Sequence, residues 1–132
     1  MPKFMFDKLV RDDVLQRCLD DPKVRTDYRI LDSTEYVKEL IAKIHEEADE
    51  IPVRNESDDE IISEIADAQS VIDALREAYG LTVEQVVEAQ RSKFEKSGGF
   101  ALRAYIMSVD LDDDSEWIDY FRAQPDKYRE VV

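Results

Sequence analysis

Three segments of this sequence have the residue pattern that starts an α-helix. Residues 32–35, 57–60 and 82–85 each place an Asp, Ser or Thr three positions before a Glu or Gln. In this pattern, the capping box, the two side chains bond backbone amides that have no partner at the first turn. Each box precedes apolar residues that recur every three or four positions, which is the period of a helix.

The boxes predict helices over about residues 33–51, 57–79 and 82–94, with a polar turn over 52–57. The second of these helices is apolar over a wide arc and stops at Gly80, so we expect it to be the central, most buried one. Two shorter helices are predicted, one from Asp12 or Asp13 to about residue 20 and one over residues 115–122.

Only three glycines and four prolines interrupt the chain, which favours an all-α class. We predict a compact bundle of about four to five helices. Two segments, residues 28–31 and 100–107, have a strand-like composition and could form one short two-stranded β pairing.

Two pairs of acidic residues have helical spacing. Glu47 with Glu50, and Glu64 with Asp67, lie three positions apart, so each pair shares one helix face. Glu64 falls inside the apolar arc, where an ionised carboxylate needs a partner. Four facing carboxylates repel one another unless a cation neutralises them, and ligands that are all oxygen favour Mg²⁺ or Mn²⁺ over zinc. Glu46 and Asp49 point away from the apolar stripe and are expected to be solvated.

The charge and the cysteine count exclude several classes of function. A formal net charge of −14 argues against a nucleic acid polymer as partner, although a metal and local basic residues would still admit a small phosphorylated substrate. Cys18 is the single cysteine, which excludes an intramolecular disulfide and a thiolate zinc cluster. No apolar run approaches the ~20 residues of a membrane span. We therefore expect a soluble, cytoplasmic protein with no membrane contact.

Four motifs then occur in order along the chain: Lys8-Leu-Val-Arg-Asp12, Glu46-Glu-x-x-Glu50, Glu64-x-x-Asp67 and Lys93-x-x-Lys96-x-Gly-Gly-Phe100-x-x-Arg103. Together they resemble the all-α nucleoside triphosphate pyrophosphatases, in particular the MazG-like or phosphoribosyl-ATP pyrophosphohydrolase-like proteins. Several motifs in one order are more specific than any single motif. The resemblance covers residues 4–107, so we divide the chain into a MazG-like domain, 1–109, and an acidic extension with a short helix, 110–132.

The resemblance implies a Mg²⁺-dependent enzyme that cleaves a nucleoside triphosphate between its α- and β-phosphates, giving a nucleoside monophosphate and pyrophosphate. Many members are house-cleaning enzymes that remove non-canonical nucleotides, and members usually form dimers or tetramers. The implied metal ligands are Glu47, Glu50, Glu64 and Asp67. The implied substrate-binding residues are Lys8, Arg11, Lys93, Lys96 and Arg103.

Other interpretations remain at this point. Glu47 and Glu50 are both candidates to orient or deprotonate the attacking water, with Glu47 preferred. The metal motifs alone also fit hydrolysis of phosphoribosyl-ATP. In a different class of function, the chain would be a catalytically silent acidic helical module that binds a partner protein. A Glu-x-x-Glu pair on its own is usually a solvated helix face.

Overall fold

The structure, a computed structural model, describes residues 1–53 and 57–131. Five helices occur in these ranges: α1 (Asp12–Asp20), α2 (Ser33–Glu50), α3 (Asp58–Ala78), α4 (Val83–Ser97) and α5 (Trp117–Arg122). The predicted all-α class is confirmed. The predicted turn over 52–57 falls partly on residues 54–56, which lie outside the described ranges. Among the described helices, none has the length and apolar character needed to cross a membrane.

The three capping boxes begin helices where the sequence predicts them. The carboxylate of Asp32 accepts a hydrogen bond from the amide of Glu35 at 2.9 Å, and Ser57 caps α3 in the same way. At α4 the box is reciprocal: the amide of Thr82 donates to the Gln85 side chain at 2.8 Å, and the amide of Gln85 donates to the Thr82 hydroxyl at 3.2 Å. These starts were predictable because each depends on residues three positions apart.

The start of α1 differs from prediction. The residue that precedes α1 is Arg11, with no side-chain capping bond, so Asp12 and Asp13 lie inside the first turn and do not cap it. Acidic residues in a first turn still stabilise a helix, because they face the positive end of its dipole. The end of α3 is as predicted: Gly80 follows with a φ of 68°, a left-handed backbone that favours glycine.

Helices α2 and α3 pack against each other. The short connection between them makes them an antiparallel pair, which we call the α2–α3 hairpin. Leu40 and Val71 are the buried apolar residues of the described chain. The predicted burial of α3 is wrong beyond Val71, because Ile62 and Ile65 on the same helix are 64% and 52% exposed. A single neighbouring helix covers one stripe of a helix and leaves the rest of a wide apolar arc uncovered.

The proposed β pairing is absent: residues 28–31 and 100–107 form no strand. A strand is stable only when its amides and carbonyls bond to a neighbour. The second segment also contains a turn, in which the amide of Arg103 donates to the carbonyl of Phe100 at 3.0 Å. Arg103 has a φ of 55°, which interrupts an extended backbone at that point.

Contacts divide the chain into two units, Met1–Ser92 and Lys93–Val132. The first unit contains the α2–α3 hairpin. In the second unit the ring centroids of Trp117 and Phe121 lie 6.2 Å apart in a stacked arrangement, and those of Phe121 and Tyr128 lie 4.7 Å apart. The aromatic side chains of α5 therefore pack locally. The sequence-based division at residue 109 stays a prediction.

Candidate metal centre

Three of the four predicted metal ligands converge on the α2–α3 hairpin. Glu47 lies near the end of α2, and Glu64 and Asp67 lie in the first half of α3. Because the helices run antiparallel, these stretches lie side by side. One carboxylate oxygen from each of the three residues lies within 4.8 Å of the others. We call these three residues the acidic trio.

Glu47 is the least solvated member of the acidic trio. Its side chain is only 10% exposed, and its Oε2 atom accepts no hydrogen bond from any residue that the structure describes. The Oε2 atom of Glu64 is likewise buried without such a bond. A buried charged oxygen with no donor is costly, so this arrangement favours a site that receives a cation.

The pKa of Glu47 is raised above its ordinary value, first because the carboxyl is buried and then because Glu50 and Asp67 place negative charge nearby. Lys43 opposes that rise, with its Nζ atom 3.6 Å from Oε1 of Glu47. Burial and like charges both disfavour an ionised carboxylate. A divalent cation would reverse both effects.

The chemistry of the acidic trio fits a hard cation. All three ligand groups are carboxylates, the donors that Mg²⁺, Mn²⁺ and Ca²⁺ prefer. In an octahedral shell with bonds of about 2.1 Å, ligand oxygens lie about 3 to 4.2 Å apart. The oxygens of the trio, within 4.8 Å of one another, therefore need only a small side-chain adjustment to share one ion.

Glu50, the fourth predicted ligand, lies outside the trio. It is exposed at the last turn of α2, yet close enough to Glu47 to raise the pKa of that carboxyl. Glu50 and Glu64 both line an open depression of about 510 Å³. The three-residue spacing predicted that Glu50 shares a helix face with Glu47, but spacing does not indicate how exposed a side chain is.

Lys8 and Arg11 bring positive charge to the hairpin, and each contacts an acid there. The Nζ atom of Lys8 donates to Oε1 of Glu46 at 3.0 Å, and Nη2 of Arg11 donates to Oδ1 of Asp67 at 2.9 Å. The segment before α1 is therefore held to both helices of the hairpin. Both basic residues were predicted to bind substrate, and both lie beside the predicted metal ligands.

Glu46, which was expected to be solvated, is partly exposed but also paired with basic residues. Its side chain is 30% exposed and pairs with Lys8 and, at 3.7 Å, with Lys43. The hydrogen bond from Lys8 is the largest cause of a lowered pKa at Glu46, and Lys43 adds to it. On a helical wheel Glu46 points away from the apolar stripe. The wheel does not show that Lys8, from a distant part of the chain, pairs with it.

Lys43 lies at the site but was not among the predicted site residues. Its side chain is 17% exposed and lies within ion-pair distance of both Glu46 and Glu47. The sequence does indicate these contacts, because Lys43 precedes Glu46 by three positions and Glu47 by four, and residues at those spacings are neighbours on a helix. Lys43 supplies part of the positive charge beside the acidic trio.

The remaining predicted substrate-binding residues belong to the second unit. Lys93 and Lys96 lie on the last turns of α4, and Arg103 lies in the turn that follows Gly98 and Gly99. All three side chains are exposed. Their role beside the metal ligands stays a prediction.

Comparison of the chain with protein-family models, with curated proteins and with solved structures gives no match. The resemblance to the MazG-like pyrophosphatases rests on the four motifs and stays a prediction.

Proposed function

We propose that this chain is a divalent-metal-dependent nucleotide pyrophosphohydrolase, with Mg²⁺ as the cofactor and Mn²⁺ as a substitute. It would cleave a nucleoside triphosphate between the α- and β-phosphates, to give a nucleoside monophosphate and pyrophosphate. The observation that most supports this proposal is the acidic trio with the buried, unpaired Oε2 atom of Glu47. The order of the four sequence motifs supports the choice of reaction.

In this proposal Glu47, Glu64 and Asp67 hold the ion. When bound, such an ion neutralises phosphate oxygens and makes a neighbouring water more acidic. Glu50 lies beside the trio without belonging to it, so its carboxylate is free to orient the attacking water and accept its proton. Glu47 keeps that role as the alternative.

The chain's basic residues would bind the substrate. Lys8 and Arg11, already beside the hairpin, would contact phosphate oxygens, and Lys93, Lys96 and Arg103 would offset the charge of the departing pyrophosphate. The depression next to Glu50 also contains Ile51, Pro52 and Val53. Apolar side chains beside carboxylates suit a nucleoside, whose base packs on apolar groups and whose hydroxyls donate hydrogen bonds.

The test is pyrophosphate release from a panel of canonical and non-canonical nucleoside triphosphates, with and without Mg²⁺. We expect Mg²⁺-dependent turnover in the wild type, with a preference for a non-canonical nucleotide if the enzyme is a house-cleaning one. Glu47→Gln and Asp67→Asn should each reduce kcat by about 100-fold or more, the scale expected when a group that stabilises the transition state is removed. Including phosphoribosyl-ATP in the panel shows whether that compound is the substrate instead.

Glu77→Gln is the matched control, because Glu77 also lies on α3 and has a side chain that is 70% exposed. It removes one carboxylate charge away from the trio, so turnover should stay at the wild-type level. Absence of turnover with every nucleotide would favour the other class, a silent acidic helical module. Unchanged turnover in Glu47→Gln and Asp67→Asn would contradict the assigned site.

We also propose that the chain acts as a homodimer or homotetramer in the cytoplasm. The uncovered isoleucines of α3, among them Ile62 and Ile65, support association, because exposed apolar side chains on a helix favour burial against a partner. Light scattering coupled to size exclusion should give the mass of two or four chains. The mass of one chain would contradict this part of the proposal.

A further inference from the structure

The contact between Arg11 and Asp67 uses a carboxylate that the proposed metal ion also needs. Nη2 of Arg11 lies 2.9 Å from Oδ1 of Asp67, and Asp67 contributes an oxygen to the acidic trio. The two residues are 56 positions apart in sequence, so the fold brings a cation to this acid. The Arg11 and Asp67 side chains are 60% and 40% exposed, so water reaches both partners.

Positive charge is unevenly distributed over the trio. Arg11 contacts Asp67, and the Nζ atom of Lys43 lies 3.6 Å from Oε1 of Glu47. The buried Oε2 atoms of Glu47 and Glu64, by contrast, accept no hydrogen bond from the described residues. The protein therefore neutralises its proposed metal site in part, and most directly at Asp67.

A divalent cation and the guanidinium of Arg11 compete for Asp67. At equal distance an ion of charge +2 attracts a carboxylate twice as strongly as a guanidinium does, and it repels the guanidinium itself. An exposed ion pair contributes little to stability, so it is weak compared with a carboxylate–metal bond. The side chain of Arg11 is long and largely exposed, and can rotate away without moving α1.

We infer that Arg11 is a built-in counter-ion of the metal-free site, which a divalent cation displaces from Asp67 and whose released guanidinium then binds a substrate phosphate. This inference rests on the proposed metal site and nucleotide substrate. Binding of the metal before the substrate is then favoured, because the ion both completes the site and frees Arg11. A guanidinium suits the second role, since its planar donors match two phosphate oxygens.

If Arg11 instead stays on Asp67, its effect on the affinity for the metal ion has the opposite sign. If Arg11 stays on Asp67 and orients it toward the ion, as residues behind metal ligands often do, Arg11 increases metal affinity. If Arg11 is displaced, it competes with the ion and decreases metal affinity. Tighter Mg²⁺ binding in Arg11→Gln excludes an Arg11 that supports the ion, and the NMR signals of Arg11 then show whether its guanidinium leaves Asp67.

The experiment is calorimetric titration of the full metal-free chain with Mg²⁺, without nucleotide, for the wild type and Arg11→Gln. We expect Arg11→Gln to bind Mg²⁺ roughly three- to tenfold more tightly, as expected from removing one competing exposed charge. Arg29→Gln is the control: Arg29 pairs with Glu35 at 2.6 Å, is 68% exposed, and loses the same charge away from the trio. Its affinity should stay within about twofold of the wild type, because salt screens distant exposed charges. Equal or weaker Mg²⁺ binding in Arg11→Gln overturns the inference.

A second arm tests the released guanidinium. With saturating Mg²⁺, α,β-methylene-ATP should bind Arg11→Gln roughly tenfold more weakly than the wild type, because a charge-assisted contact to phosphate is lost. Equal binding overturns the substrate role of Arg11. In the wild type, the side-chain NMR signals of Arg11 should shift on adding Mg²⁺ alone, and signals that stay fixed contradict displacement.

Failure of this inference differs from failure of the proposed function. If Glu47→Gln abolishes Mg²⁺ binding but Arg11→Gln does not tighten it, the metal site stands and displacement is wrong. If Arg11→Gln tightens Mg²⁺ binding and the Arg11 signals of the wild type shift with Mg²⁺, but no nucleotide releases pyrophosphate, displacement stands and the proposed reaction is wrong. If neither the wild type nor Arg11→Gln binds Mg²⁺, both are wrong.

Discussion

Two neighbouring parts of the α2–α3 hairpin hold carboxylates in opposite electrostatic environments. Around Glu46, Lys8 and Lys43 supply positive charge, and the pKa of that carboxyl is lowered. Around Glu47, burial and the charges of other acids raise the pKa. The two residues are adjacent in sequence and differ only in which way the helix turns them.

This difference separates a carboxylate that basic side chains already pair from one that keeps an unpaired buried oxygen. The carboxylate of Glu46 is already neutralised by basic side chains, so a metal gains little from it. Glu47 keeps a buried oxygen without a donor beside Glu64 and Asp67, which is the arrangement that a cation relieves. An acidic sequence becomes informative about function where the fold leaves its charge unneutralised.

The largest expected effect is stabilisation by metal. Mg²⁺ at about a hundred times its Kd should stabilise the wild type by about 2.7 kcal/mol, which raises Tm by roughly 10 °C for a chain of this size. Asp67→Asn and Glu64→Gln should remove most of that shift, whereas Glu46→Gln should keep it. Differential scanning calorimetry measures this. A Tm shift that is lost in Glu46→Gln but kept in Glu64→Gln would contradict the placement of the metal at the acidic trio.

A smaller effect should appear without metal, when each neighbour is replaced by its neutral isostere. Glu47→Gln should stabilise the protein by about 1 kcal/mol, because it removes a buried charge that lacks a donor. Glu46→Gln should destabilise it by less than about 1 kcal/mol, because it removes partly exposed ion pairs. Urea unfolding in the presence of a chelator measures both. The same sign of change in both variants would show that the two environments do not differ.

The smallest effect is on pH dependence. The raised pKa of Glu47 means that the folded state holds a proton which the unfolded state releases at about pH 4.5, the ordinary value. Stability from this group is therefore present below pH 4.5 and is lost as the pH rises through the folded value. Glu46 behaves in the opposite way, because its lowered pKa gives stability above pH 4.5 that is lost on acidification.

Unfolding measured across this range without metal should show the contrast. The stability gained by Glu47→Gln over the wild type should grow as the pH rises above about 4.5 and then stay constant. The stability lost in Glu46→Gln should shrink below that pH. A constant difference for Glu47→Gln across the range would contradict the raised pKa.

The features that were predictable from the sequence are those set by near neighbours. The starts of α2, α3 and α4 follow from capping boxes, and the end of α3 follows from Gly80. The same helical spacing places Glu64 beside Asp67 on one face. Each of these depends on residues within one helical turn, so no knowledge of the tertiary fold was needed.

The features that were not predictable depend on contacts between distant residues. Lys8 reaches Glu46 across 38 positions, and no local pattern encodes that pairing. The wide apolar arc of α3 correctly indicated a packed helix, yet its partner α2 covers only part of it, and Ile62 stays exposed. Residues 100–107 have strand-like composition, but strand formation depends on a pairing partner that composition does not specify.

The central claim is that the acidic trio binds a divalent cation, and Mn²⁺ located by anomalous diffraction tests it most directly. Crystals of the wild type grown with Mn²⁺ should show an anomalous peak within bonding distance of carboxylate oxygens from Glu47, Glu64 and Asp67. The peak should be absent from Glu47→Gln crystals grown in the same way. A wild-type peak elsewhere, or no peak at the trio at saturating Mn²⁺, would contradict the account.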